Sequence, residues 1–323
     1  MMTSGTEARR GAVKGPRPES KLRSYTRLAK LDVYDYYLSI LVVLSAVLLP
    51  LAAFDSRVLP TLVVFLAGEI LVTAAMVALD DVTGYHDGSD AANYGPDTPT
   101  RRLLRKPLIA GTLTPAEALR FAWLAVAAGG ALWVLAVLLS PNRPLWTLVL
   151  IVVTFVLMPQ YSYGIKLSYR GFQELFLVAL GVALVLAPYG LVAGQFSGFV
   201  LVQALIFGMG PLLFGVYSNT NDIAGDRAVG RPTVAVLASP KGNARFVFAL
   251  SVAEFAFGAL GSLTGLAPWW FVLVMLPATA MRAMQYRMGF PGGDIMSARK
   301  LGFRVHRLNA ALLIVANLIQ AGA

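Results

Sequence analysis

The chain carries 17 Asp and Glu residues among 323, and its aspartates crowd into two stretches. LDDVTGYHDGSDAANYGPD holds Asp80, Asp81, Asp87, Asp90 and Asp97, and YSNTNDIAGDRAVGRPT holds Asp222 and Asp226. On a helix Asp222 and Asp226 share one face, with Asn219 a turn earlier; Asp80 and Asp87 share a face, and Asp87 and Asp90 are three apart. Like charges packed this closely repel and raise one another's pKa values, a cost that a divalent cation removes. The donors are hard oxygens, with no Cys in the chain and only 2 His. That set favours Mg²⁺, which usually binds through one or two carboxylates plus substrate phosphates. Arg and Lys flank both patches, so the chemistry implied is a diphosphate held between bridging Mg²⁺ ions.

Such patches need elements to face them toward each other. The composition is 57% hydrophobic and 14% charged, against about 25% charged in soluble domains. Nearly continuous apolar runs can be drawn as nine spans, at roughly 34–55, 58–80, 115–139, 144–163, 171–192, 198–218, 243–263, 267–286 and 303–321. The expected fold is therefore all-α, one polytopic bundle of about nine transmembrane helices with helical or loop caps. Both acidic stretches follow an even-numbered span and so lie on one side of the membrane. Of the 27 Lys and Arg residues, only Arg57 and Arg143 fall on the other side, with Arg120 at the inner end of the third span. This bias predicts a cytosolic N-terminus, an outside C-terminus and a multi-pass location in a bacterial cell membrane. It also accounts for the net charge of +10 through topology and anionic lipid, without nucleic acid. Residues 1–30 read as a disordered basic tail and 31–323 as the membrane domain. No removable signal peptide precedes the first span.

At the level of motifs the chain resembles the UbiA superfamily of intramembrane prenyltransferases. NDIAGDRAVGRPT is similar to that family's second aspartate motif, including the DxxxD pair and the trailing Gly230, Arg231 and Thr233. RKPLIAGTLTPAEAL, at 105–119, resembles the segment after the first motif, and YSYGIKLSYRG, at 161–171, resembles the basic loop between spans four and five. The first motif departs: the family pattern is NxxxDxxxD, whereas this chain has DDVTGYHDGSD. Setting Asp80 on the Asn puts Gly84 and Gly88 at the aspartates, and setting Asp90 on the last Asp puts Val82 and His86 at the other two positions.

The resemblance implies Mg²⁺-dependent transfer of a prenyl group from a polyprenyl diphosphate to an aromatic or other nucleophilic acceptor, small molecule or lipid, with release of diphosphate. The alternative is a terpene cyclase of the same superfamily, which needs no separate acceptor. It further implies that Asp222 and Asp226 hold one Mg²⁺ and members of Asp80, Asp81, Asp87 and Asp90 the other. Arg102, Lys106, Lys166, Arg170, Arg227 and Arg231 are then candidates for phosphate oxygens, and Tyr161, Tyr163 and Tyr217 for steadying a carbocation. Taken alone, a DxxxD pair is often a solvated face, one of Asp80 and Asp81 can be a helix cap, and Asp97 and His86 read as loop residues. His306 reads as an interfacial residue. Glu69 and Glu254 lie well inside spans; Glu69 either contacts another helix or lines an acceptor pocket.

Overall fold

The computed structural model describes residues 20–48, 55–94 and 103–322, and among them the chain is all-helical. Helix α1, Lys21–Ala29, is capped by Ser20; a 3₁₀ turn, Asp35–Leu38, leads into α2, Ser39–Val47. Next come α3, Val58–His86, and the short α4, Ser89–Asn93. α5, Pro115–Leu139, starts at a full capping box in which Thr114 and Glu117 satisfy each other's backbone donors. α6, Leu145–Leu157, and α7, Gln173–Ala193, follow, and then α8, Gly198–Asn221. Two short helices, α9 (Ile223–Ala228) and α10 (Val234–Leu237), precede α11, Pro240–Leu263. The chain closes with α12, Phe271–Gly289, and α13, Ile295–Gly322.

Each expected span contains one of these helices, but they are not equal as membrane spans. α3, α5, α7, α8 and α11 are long and apolar enough to cross a membrane. α6 has 13 residues, about 20 Å at about 1.5 Å per residue, short of a hydrocarbon core of about 30 Å. The first expected span is helical only over Asp35–Val47, and 49–54 lie outside the described residues. α12 and α13 carry charges along their length, among them Arg282, Arg287, Arg299 and Arg307. Among the described residues five helices thus have the length and composition of membrane spans, and the expected count of nine is not confirmed. The tail boundary also moves, because Lys21–Ala29 are helical and pack on α3.

Burial separates the centre of the bundle from its lipid-facing rim. α7 and α8 are buried along most of their length, while α5 and α11 expose apolar side chains such as Leu124 and Leu263. Exposed leucine on a long apolar helix is the pattern expected when the surrounding solvent is lipid. Lipid tails give no hydrophobic drive for helices to associate, so close contact must do so. Gly181 meets Gly208 so tightly that a Cβ on Gly181 would stand 2.5 Å from the Gly208 Cα. Inside the bundle, Glu254 takes two hydrogen bonds from Arg282, at 2.8 and 2.7 Å, and one from Asn309 at 2.9 Å. Arg282 is 1% exposed. His306 is not interfacial: it is buried against Phe207 and Phe214.

α3 sets the geometry of the site. Its 29 residues span about 43 Å at about 1.5 Å per residue, longer than the hydrocarbon core, so its C-terminal turns project beyond it with Asp80 and Asp81. Gly88, at φ +81°, then reverses the chain into α4.

Candidate active site

The ends of α3 and α8 meet at a cavity of about 1180 Å³. Its lining includes Asp80 and Asp90 from the first acidic stretch and Asp222 and Asp226 from the second. Lys106, Arg231, Asn219 and Tyr161 line the same space, as do the apolar Leu177, Pro211, Phe214 and Phe303 and the cations Arg299, Lys300, Arg304 and Arg307.

Asp80 is held by Ser162, whose Oγ donates to Oδ1 at 2.6 Å. Ser162 is itself fixed by Ser168 at 2.9 Å, and its carbonyl accepts from Thr83 at 2.8 Å. Arg231 lies 3.6 Å from Asp80 and 3.9 Å from Asp226. It stacks 4.4 Å above the Tyr169 ring and donates to the Tyr169 hydroxyl at 2.8 Å. That hydroxyl donates in turn to Asp87, which also accepts from the Ser89 amide. Burial pushes the Asp226 carboxyl up to about 7; Arg231 opposes the shift, and Asp222 and Asp80 add to it. Asn219 accepts from Gln173 at 2.8 Å, and Asp222 accepts from Asn221 at 2.7 Å.

Asp81 is 1% exposed and belongs to a closed ionic cluster. Lys30 and Lys106 both reach its Oδ1, at 2.5 and 2.8 Å, and Lys106 also bridges to Asp90 at 2.6 Å. Burial alone would depress the Lys106 ammonium, but Asp81, Asp90 and Asp80 outweigh it and hold the group well above the ordinary lysine range. Asp81 Oδ2 and Asp90 Oδ2 are buried without a hydrogen-bond partner.

These donors suit Mg²⁺ of one particular kind. Among the described residues no three acidic, His or Cys side chains form a ready-made cage, so a cation here needs ligands from substrate phosphates, as Mg²⁺ ordinarily does. The buried, unpartnered carboxylate oxygens fit that requirement.

Residues 39–315 match the UbiA prenyltransferase family. The chain belongs to that family. A comparison with curated proteins finds no match. Among solved structures, a UbiA homolog from Aeropyrum pernix K1 in its apo form is similar with a TM-score of 0.65 at 20% identity, covering 88% of this chain and 98% of that one. A UbiA homolog from Archaeoglobus fulgidus bound to DMAPP and Mg²⁺ has a TM-score of 0.64 at 13% identity, covering 93% and 99%. A digeranylgeranylglyceryl phosphate synthase has 0.59 at 14%, covering 93% and 98%. At these identities the likeness is one of fold.

The UbiA motifs anticipated from the sequence are thus brought together unevenly. Asp80, Asp90, Asp222, Asp226, Lys106, Arg231, Asn219 and Tyr161 share the cavity. Asp81 and Asp87 stand behind it, engaged with lysines and with Tyr169. Lys166 is exposed beside the Tyr169 ring, Arg170 is exposed and bonded to the Ile165 carbonyl, and Arg227 is exposed; none lines the cavity. Tyr163 packs edge-on against Trp123, and Tyr217 packs against Phe290. Arg102 and Asp97 lie outside the described residues. Glu69 is fully buried against Ser39 and does not line the cavity. Lys30, Tyr34, Ser162, Tyr169 and Gln173 were missed. Ser162 and Tyr169 fall within the YSYGIKLSYRG motif, which offers a signal.

Proposed function

We propose that this protein transfers a prenyl group from a prenyl diphosphate to a separate nucleophilic acceptor, with Mg²⁺, at the cavity between α3 and α8. One observation carries the reading: two acidic segments from distant parts of the chain line one cavity together with Lys106, Arg231 and further cations such as Arg299 and Arg304, with Leu177, Pro211, Phe214 and Phe303 beside them. The Archaeoglobus fulgidus homolog bound to DMAPP and Mg²⁺ supports it.

Charge decides what the mouth can hold. Two like unit charges about 4 Å apart repel by about 4 kcal/mol at an effective dielectric near 20. The cavity's Lys and Arg residues attract a diphosphate, but phosphate oxygens set directly against Asp80, Asp222 and Asp226 would be repelled unless cations stood between them. Asp222 and Asp226 would hold Mg²⁺ from one wall and Asp80 from the other; bound Mg²⁺ supplies positive charge to the diphosphate oxygens. Arg231 and Lys106 face the same oxygens. They stabilise the negative charge that grows on the leaving group as the allylic C–O bond breaks and its electron pair leaves with diphosphate.

The prenyl chain runs over Leu177, Pro211, Phe214 and Phe303. Tyr161 and Phe214 offer ring faces to the cationic carbon, and these apolar side chains keep water from it. The acceptor then supplies the electron pair for the new bond and loses a proton.

The test incubates purified protein with C10, C15 and C20 prenyl diphosphates, with and without acceptor extracts, and follows diphosphate release and products by mass spectrometry. Transfer gives an acceptor-dependent adduct that requires Mg²⁺. A hydrocarbon formed without acceptor would mark a cyclase. Unchanged diphosphate release by Asp222→Ala/Asp226→Ala would remove the metal site from the mechanism.

A further inference from the structure

Lys30 ends α1 in a backbone conformation that lysine rarely takes. Its φ is +46° and its ψ +35°, in the left-handed region. Just past a helix end this region is ordinarily left to glycine, which has no Cβ to clash. Strained positions of this kind cluster at functional sites, where the surrounding structure holds them. Here the side chain supplies the reason, because its ammonium lies 2.5 Å from Asp81 Oδ1. Lys30 precedes residues 39–315, the stretch that matches the family, so none of the motifs accounts for it. The charge bias across the membrane calls for cations on this side, but not for one in a left-handed turn against a buried carboxylate.

α1 brings Lys30 to this place as a seated element. Leu28 belongs to the same buried cluster as Leu79 and Val82 of α3. Tyr25 lies 5.4 Å from the Phe121 ring, and Lys21 pairs with Glu117 of α5 at 2.7 Å. A separate face of α1, formed by Arg23, Thr26, Arg27 and Lys30 at spacings of three and four, lines the reaction cavity.

Asp81 Oδ1 is shared between two lysines. Lys106 reaches the same oxygen at 2.8 Å and continues to Asp90 at 2.6 Å. Both lysines line the cavity, whereas Asp81 stands behind it. Two carboxylates thus meet two ammonium groups, and the cluster is neutral. Without Lys30 it would carry a net negative charge beside a space that has to admit a diphosphate, and Asp81 would draw on Lys106 alone.

We propose that Lys30 is a positioning residue of the reaction: by sharing Asp81 it keeps the cluster neutral and leaves the Lys106 ammonium turned toward the diphosphate. The proposal deepens the prenyl-transfer reading and rests on it.

The experiment measures binding of geranyl thiolodiphosphate with Mg²⁺ to the purified full chain in detergent by calorimetry, with thermal unfolding of every variant. Lys30→Met weakens binding at least about tenfold, and Lys30→Arg, which keeps the charge, stays within about threefold of wild type. Lys30→Gly suits the left-handed turn, so it removes the charge without a backbone penalty and binds as weakly as Lys30→Met. Lys30→Met/Asp81→Asn makes the cluster neutral again and recovers at least about threefold over Lys30→Met alone. A purely structural lysine would give no such recovery, since the double variant loses the whole pair. Binding within about twofold of wild type in both Lys30→Met and Lys30→Gly, or a double variant no better than Lys30→Met, would overturn the proposal. Asp222→Ala separates the two levels. If wild type does not bind the probe, or Asp222→Ala binds it as wild type does, the prenyl-transfer reading falls and the proposal with it. If Asp222→Ala loses binding while the Lys30 variants keep it, only the role of Lys30 fails. Should Lys30→Met not fold, Lys30→Gly decides.

Discussion

Arg231 stands between the two acidic segments, 3.6 Å from Asp80 and 3.9 Å from Asp226. Its guanidinium lies over the Tyr169 ring, and its Nε is buried without a hydrogen-bond partner. It is the structural cross-link between α3 and the segment after α9 and, in the proposed reaction, a cation facing the leaving group. Arg231→Ala is expected to lower kcat/KM for the prenyl diphosphate by about 10² or more. Arg231→Lys should recover little, since an ammonium cannot both stack and fork. Tyr169→Phe keeps the stacked ring but removes the hydroxyl that links Arg231 to Asp87, so its loss should be smaller, about tenfold. Steady-state kinetics on the three variants give the order; equal losses for Tyr169→Phe and Arg231→Ala would assign the effect to the hydroxyl.

Asp226 predicts a pH dependence of opposite sign for folding and for metal binding. Its carboxyl is pushed up to about 7 by burial, with Asp222 and Asp80 adding to the shift, while an unfolded Asp ionises near about 3.9. Between those values the folded state binds more protons than the unfolded one, so this group's contribution to stability is present at low pH and is lost as pH rises toward 7. Asp226→Asn removes that loss. Without Mg²⁺ it should unfold at a higher temperature than wild type at pH 8, with the advantage gone near pH 4. Metal binding needs the ionised form, so wild-type Mg²⁺ affinity should rise between pH 6 and 8 and the Asn variant's should stay low. Thermal unfolding and Mg²⁺ titration at three pH values check both signs.

The lysines around Asp81 have unequal roles. Lys106 bridges Asp81 and Asp90, whereas Lys30 pairs with Asp81. Removing Lys106 takes away the ion pair on Asp90 and one of the two on Asp81; breaking a buried pair from one side costs about 3–5 kcal/mol. Lys106→Met is therefore expected to be markedly less stable than wild type, and Lys30→Met to lose less, because Asp81 keeps Lys106. Thermal unfolding in detergent ranks them, and the reverse order would place the main counter-charge on α1.

The sequence carried the bundle and the second acidic segment well, for physical reasons. Long apolar runs have few alternatives to helix in a membrane, and the spacing of Asp222 and Asp226 was preserved because both sit in one locally helical stretch. The first segment was less legible. No linear register matched Asp80, Asp87 and Asp90 to one pattern, because Asp90 returns to α3 through a left-handed turn at Gly88 and its place is set by α4 rather than by spacing. Nothing local in the sequence marks a lysine 51 positions away from Asp81 as its partner. Lys166, Arg170 and Arg227 were overvalued on charge and nearness in sequence, although their side chains face away from the cavity or into solvent.

Glu69 offers a direct check on where function ends. It is fully buried, bonded to Ser39 at 3.3 and 3.2 Å, and absent from the cavity wall. Glu69→Gln keeps the shape and the hydrogen bond, so rate and product pattern should match wild type. A changed product pattern would show that the acceptor reaches deeper than the cavity between α3 and α8.

Glu254 and Arg282 test whether a charged pair inside the bundle is structural. Their bidentate contact is completed by Gln285, 2.6 Å from Arg282, and by Asn309, and neither charge lines the reaction cavity. Either single change, Glu254→Leu or Arg282→Leu, strands a buried charge and should cost about 3–5 kcal/mol. The double change leaves two apolar side chains where the ions were, and such replacements are often neutral or stabilising. The double variant should therefore unfold close to wild type and keep prenyl-diphosphate turnover, while each single variant unfolds early. If the double variant folded well but lost turnover, the pair would have to bias the cavity through α8, to which Gln285 is tied by a hydrogen bond to the Leu213 carbonyl at 3.1 Å.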